Sequence, residues 1–187
     1  MKKVITVVLV LSLLIFSGSV MAQDYLSQGQ WEIKAGIDSS GELEDWDIDR
    51  GFSIAGEYKF PYTSRWTLGG GLAYQLDREV DESGQDGEIG FVPFYGLAQY
   101  DIANNPYYLV GHLGFNSFRT DSTFEHENDV DDTSGGLYYA LGAGMEFGER
   151  YTAEMIYSVN SGEIEYNNGE DEDVEYDKFT LSIGMKF

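Results

Sequence analysis

The chain has 187 residues, with 33 Asp and Glu against 11 Lys and Arg for a formal charge of −22, together with 23 Gly, 14 Tyr, 11 Phe, 3 Trp and no Cys. One domain is expected at this length. So acidic a chain repels phosphate backbones, which argues against nucleic acid as a partner, and the absence of Cys excludes disulfides, thiolate metal centres, cysteine nucleophiles and a lipidated N-terminal Cys.

Lys2 and Lys3 open the chain, the apolar run Val4 to Phe16 follows, and Ser17 to Ala22 are mostly small. That order is the one of a secretory signal peptide, with cleavage expected after Ala22 and a mature domain of residues 23–187. The apolar run is shorter than the roughly 20 residues a spanning helix needs, and every later apolar stretch is broken by charges or glycines.

From Trp31 onward the apolar residues recur with period two, the signature of strands with one apolar face. Eight such segments follow one another, through Trp31–Ile37, Phe52–Phe60, Trp66–Leu76, Val92–Tyr100, Tyr107–Phe115, Leu137–Phe147, Tyr151–Val159 and Phe179–Phe187. Residues 61–64, 101–106 and 148–150 read as tight turns, whereas 39–50, 77–88, 119–134 and 160–173 read as long polar loops, a pattern that predicts an up-and-down meander. In the fourth segment Phe91, Tyr95 and Leu97 make the parity ambiguous; Tyr100 assigns it, while Pro93, which cannot donate to a ladder, leaves the local register open to a bulge that would flip part of the strand.

An aromatic residue sits at every tight-turn end: Trp31, Phe60, Trp66, Tyr100, Tyr107, Phe147, Tyr151 and Phe187. Each falls on the parity of its strand's apolar face, as the girdle of a membrane barrel requires. The opposite face carries charges of both signs, and Glu32, Lys34, Glu57, Lys59, Arg65, Glu154, Lys178 and Lys186 are expected to form a paired network in the lumen, with Glu154 reaching Lys178 or Lys186 on the next strand. A soluble barrel would invert these faces, and alternation alone does not separate the two. The signal peptide, the aromatic ring and the mixed interior charges favour the membrane form. The predicted fold is all-β, an eight-stranded antiparallel up-and-down transmembrane β-barrel with long acidic extracellular loops and both termini periplasmic.

The last segment, Phe179-Thr-Leu-Ser-Ile-Gly-Met-Lys-Phe187, resembles the terminal strand of bacterial outer-membrane barrels, and Gly135 to Phe147 followed by Gly-Glu-Arg and Tyr151 resembles a hairpin of the small outer-membrane β-barrel family that includes OmpX, Ail and the OmpA membrane domain. The resemblance implies residence in the outer membrane, contact with its lipid and lipopolysaccharide, and handling by the barrel-assembly machinery through the C-terminal strand. It leaves activity open, because that scaffold serves adhesion, defence, lipid modification and structure.

Lipid A deacylases on this scaffold use a His-x-Ser pair on one strand. Here His112 precedes Leu113 and Gly114, and His126 precedes Glu127 and Asn128, so neither histidine has it. Eight strands enclose a lumen that side chains just fill, which disfavours an open pore. Twenty-six of the 33 acids fall in the four long loops and their flanks, Asp38 and Asp177 among them. Such a crown suits divalent cations or a cationic partner, with Glu125, His126, Glu127, Asp171 and Asp173 as the metal-ligating candidates, although no loop has the spacing of a dedicated calcium site. A non-enzymatic structural or surface-interaction role without a cofactor is expected, with a lipid A-modifying enzyme or a narrow cation-selective channel as alternatives.

Overall fold

A computed structural model describes residues 28–39, 41–43, 46–48, 50–76, 78–82, 85–122, 130–166 and 171–187. The leader and the candidates Glu125, His126 and Glu127 lie outside these residues, and so do the side chains of Asp171 and Asp173. Eleven strands are present: β1 (Gln30–Asp38), β2 (Gly41–Leu43), β3 (Trp46–Ile48), β4 (Gly51–Pro61), β5 (Trp66–Gln75), β6 (Arg78–Glu82), β7 (Gln85–Asp101), β8 (Tyr107–Ser122), β9 (Val130–Phe147), β10 (Tyr151–Tyr166) and β11 (Asp171–Lys186).

Eight of them, β1, β4, β5, β7, β8, β9, β10 and β11, pair antiparallel with their neighbours in chain order. The sheet closes on itself where β1 meets β11, from Glu32↔Lys186 to Asp38↔Thr180. Closure leaves no free edge and gives the backbone donors of the wall a partner without water, the condition for crossing hydrocarbon.

The tight turns are made as the sequence predicts. The amides of Tyr62 and Thr63 donate to the Trp66 carbonyl, Asn105 Oδ1 accepts from the Tyr107 amide, and Gly148 takes a positive φ of 65° that closes the β9–β10 turn.

Much of what reads as long loop is strand. β2 and β3 form a small hairpin from Gly41↔Ile48 to Leu43↔Trp46, linked to β11 through Tyr176↔Leu43 and to β6 through Ile48↔Val80. The arms of β6–β7, β7–β8, β8–β9 and β9–β10–β11 likewise run past the predicted boundaries. Acidic residues disfavour strands only weakly when the pairing is inherited from a ladder already in register, so these hairpins extend the wall.

Pro93 does not flip its strand. β7 keeps one register with β8 from Gly87↔Ser122 to Asp101↔Tyr108. Toward β5 the pairing stops at Leu72↔Phe94 and resumes at Arg78↔Ile89, six residues on one side against five on the other, so the extra residue lies in the β5–β6 stretch. The missing donor of Pro93 coincides with this lapse in the ladder.

The faces sort as the parity predicts. Leu141, Phe94, Leu113, Leu181 and Ile183 point outward and are more than half exposed, while Glu32, Glu57, Lys59, Glu154 and Ser158 point inward and are buried. A soluble protein does not present such a belt to water. Val159 alone among the outward assignments is nearly inaccessible, at 2% exposure.

Candidate functional site

The lumen contains a compact ionic network. Lys34 Nζ of β1 lies 2.8 Å from Glu57 Oε2 of β4 and 2.5 Å from Glu154 Oε2 of β10. Lys59 Nζ lies 2.8 Å from Glu32 Oε2, 3.1 Å from Glu57 Oε2 and 3.6 Å from Glu154 Oε1. The other carboxylate oxygens take hydroxyls: Tyr95 donates to Glu57 Oε1 at 2.8 Å, Tyr108 to Glu154 Oε1 at 2.7 Å, and Thr152 to Glu32 Oε1. Buried charge survives only when paired and hydrogen-bonded, and here both conditions hold.

The three hydroxyl contacts all join strands that are not neighbours, and each passes over a glycine. Tyr95 of β7 reaches Glu57 of β4 across β5, where a Cβ on Gly71 would lie 2.8 Å from the Tyr95 ring. Tyr108 of β8 reaches Glu154 of β10 across β9, where a Cβ on Gly144 would enter the Tyr108 ring. Thr152 of β10 reaches Glu32 of β1 across β11, where a Cβ on Gly184 would collide with both. The inward glycines are the space in which the long side chains lie.

Beyond the network, the rings of Tyr95 and His112 stack at 4.3 Å with planes 12° apart, and Tyr138 completes the layer. A cavity of about 50 Å³ adjoins both this layer and the network, bounded among others by Lys34, Glu57, Glu154, His112, Tyr138 and Lys178. Lys178 Nζ donates to Asp38 Oδ2 at 2.7 Å, and Thr180 and Ser53 donate to Asp38 Oδ1. Gln75 Nε2 donates to Asn160 Oδ1 at 3.3 Å. Phe91 of β7 and Tyr176 of β11, on opposite walls, stack across the lumen with centroids 5.8 Å apart and planes within 9°.

Of the expected network, Glu32, Lys34, Glu57, Lys59 and Glu154 come together. Glu154 pairs with Lys34 and lies near Lys59, not with Lys178 or Lys186 on the adjacent strand. Lys178 takes Asp38, an acid the sequence reading assigned to the outer crown but which is buried on the last inward position of β1. Lys186 pairs with the half-exposed Glu146 at the tight-turn rim. Arg65 is not a lumen residue: it falls in the turn before β5, exposed, with its guanidinium donating to the Tyr100 hydroxyl at 3.3 Å. The turn ends the alternation one residue earlier than the parity count assumes. Tyr95 and Tyr108 join the network as well, and both occupy inward positions by the same parity count, which is the signal for them in the sequence.

Around the tight-turn end, Trp31, Trp66, Tyr107, Phe147, Tyr151 and Phe187 are exposed, while Phe60 and Tyr100 are partly covered. Neighbours make ring contacts, Trp31 with Tyr58 at 5.1 Å, Trp66 with Tyr100 at 5.0 Å and Phe147 with Tyr151 at 5.7 Å.

The sequence matches the family model described as outer membrane protein beta-barrel domain over residues 9–187. The chain belongs to that family. It is an integral protein of the bacterial outer membrane, and the apolar belt is the surface that faces lipid. No curated protein matches it. Among solved structures it is similar to Neisserial surface protein A, at 12% identity and a TM-score of 0.58 over 86% of this chain and 97% of that one. It is also similar to Ail of Yersinia pestis, solved with the heparin analogue sucrose octasulfate, at 18% identity and 0.56 over 86% and 99%. OprG from Pseudomonas aeruginosa gives 18% and 0.50 over 86% and 96%. These outer-membrane barrels share the fold of this chain.

Proposed function

We propose that the protein is a non-enzymatic barrel of the outer membrane with a structural or surface-interaction role, its long hairpins extracellular and its termini periplasmic. The observation that carries this reading is the filled lumen. The ionic network, the Tyr95–His112–Tyr138 layer and the Phe91–Tyr176 stack occupy successive levels of the interior among the described residues, and a cavity of about 50 Å³ between them has room for a few waters. The closed wall presents its long hairpins at one end, and a role peculiar to the protein belongs to them, with outer-membrane lipid, lipopolysaccharide and divalent cations as the partners such acidic hairpins would meet. The His112 ring is held by Tyr95 and Tyr138 instead of facing a nucleophilic hydroxyl, which supports the non-enzymatic reading.

Planar-bilayer recording tests the filled lumen: the purified protein is expected to give no resolved unitary conductance. Steady cation-selective steps would replace this reading with the channel. Incubation with lipopolysaccharide followed by mass analysis of lipid A tests the enzymatic alternative, and no altered acyl chain is expected.

A further inference from the structure

We propose that one resident water in the lumen cavity bridges His112 of β8 to Glu57 of β4, so that a neutral imidazole joins the aromatic layer to the ionic network. The argument begins on the other side of the ring. Tyr138 Oη lies 3.3 Å from His112 Nδ1, and among the described residues that nitrogen is the acceptor the Tyr138 hydroxyl reaches. Tyr138 therefore donates, Nδ1 offers its lone pair, and a neutral imidazole then carries its hydrogen on Nε2. The opposite tautomer would leave the Tyr138 hydrogen idle and turn the Nε2 lone pair toward a carboxylate, acceptor against acceptor.

Nε2 is a buried atom that makes no direct hydrogen bond, and in this it differs from the carboxylate oxygens around it. Glu32 Oε2 and Glu57 Oε2 also lack one, but each faces a lysine ammonium at 2.8 Å. Glu57 Oε1 lies 4.0 Å from Nε2, too far for a direct bond. The separation suits a single water. Placed about 2.8 Å from each atom it subtends an angle of roughly 90°, accepting from Nε2–H and donating to Glu57 Oε1. That oxygen already takes the Tyr95 hydroxyl at 2.8 Å and has a second lone pair for the water.

His112 and Glu57 both border the cavity of about 50 Å³, and a single water needs roughly 10–15 Å³ of such space. Lys34, Gln75 and Ser158 border it too, so the site is polar as well as roomy. The Tyr95 ring, stacked on His112 at 4.3 Å, fixes the plane in which Nε2–H points. With the water in place the bonds run in one direction, from Tyr138 to Nδ1, from Nε2 to the water and from the water to Glu57. Such a chain ends on the anion, and each bond polarises the next. It ties β9, β8 and β4 together across the lumen.

The inference rests on the filled lumen proposed above, and the two fail separately, because conductance reports ion passage and histidine spectroscopy reports the bridge. The test is proton and nitrogen NMR of the mature chain in nanodiscs at neutral pH, carrying His126→Gln so that His112 is the one histidine left of two. A protonated Nε2, an unprotonated Nδ1 and cross-relaxation between the Nε2 proton and a long-lived water are expected. Ala73→Leu extends a side chain from the cavity wall, and loss of the water correlation is expected there. If that variant does not fold, the spectra of the single-histidine protein decide alone. An Nδ1–H tautomer, an imidazolium, or an Nε2 proton without water contact overturns the proposal. So does an Nε2 proton lost to fast exchange, which would mean a mobile water column, or a water correlation unchanged in folded Ala73→Leu. Ring signals that move when sodium replaces potassium would put a cation in the site and overturn it as well.

Discussion

Replacing Lys34 by Met keeps the aliphatic stem and removes the ammonium that bridges Glu57 at 2.8 Å and Glu154 at 2.5 Å. Both carboxylates are essentially inaccessible to bulk solvent, so the lost ammonium is not replaced by full hydration. Breaking a buried pair by removing one partner costs about 3–5 kcal/mol, and the second pair adds little because it shares the same charge. Lys186→Met is the control on the same face. Its partner Glu146 is 44% exposed, so screening holds the loss to about 1 kcal/mol or less. Reversible urea unfolding of the folded barrel in lipid vesicles, followed by tryptophan fluorescence, measures both. The double variant Lys34→Met/Glu154→Gln restores the wild-type charge balance and is expected to be more stable than the sum of its parts by roughly 0.5–3 kcal/mol. If Lys34→Met costs no more than Lys186→Met, the interior is hydrated and the network is not what the geometry describes.

Leu141 and Leu113 lie outward well inside β9 and β8, 72% and 65% exposed, and Arg at either is expected to destabilise the bilayer-inserted barrel by about 2–4 kcal/mol, whereas Arg at Leu109, third residue of β8 and two from the girdle residue Tyr107, should cost less. Phe187→Arg at the girdle should cost far less in the same unfolding assay, and equal costs would refute the depth assignment. Gly144→Ala is expected to lose about 1–3 kcal/mol by forcing Tyr108 off Glu154, whereas Gly56→Ala, whose Cβ meets nothing within 4 Å, should be close to neutral, and the order of the two melting temperatures decides. Phe91→Ala removes one half of the stack across the lumen but leaves the network beneath it, so bilayer recording should still show no conductance. Steps in that variant would make the stack the seal and the network a passage.

The faces of the wall were legible in the sequence because period two is a property of single strands: Leu141 against Gly142, or Glu57 against Tyr58, can be assigned without knowing any neighbour. Registers between strands follow from short turns, so the ladder along β9–β10 was implied once Gly148 to Arg150 was read as the turn. Two features resisted that reasoning. Strand ends depend on pairing energy summed over a hairpin and not on local composition, so the acidic stretches flanking 77–88 and 160–173 concealed extended arms. Pro93 signalled a missing donor correctly but could not say which of two flanking ladders would lapse.

Partner choice inside the lumen was legible only in part, and the reason is geometric. Sequence reasoning pairs a residue with the strand beside it, which sends Glu154 to Lys178 or Lys186 on β11. In a narrow closed barrel the wall curves so sharply that inward side chains converge on the axis, and strands two places apart come within reach if the strand between presents nothing larger than hydrogen. Gly184 on β11, Gly144 on β9 and Gly71 on β5 supply that condition, and each lies beside a long-range contact. Asp38 joins the interior by the same curvature, since at Asp38↔Thr180 the wall is still closed and its carboxylate meets Lys178 instead of solvent. At Gly71, Gly144 and Gly184 an inward glycine thus marks the strand over which the two flanking strands exchange a hydrogen bond.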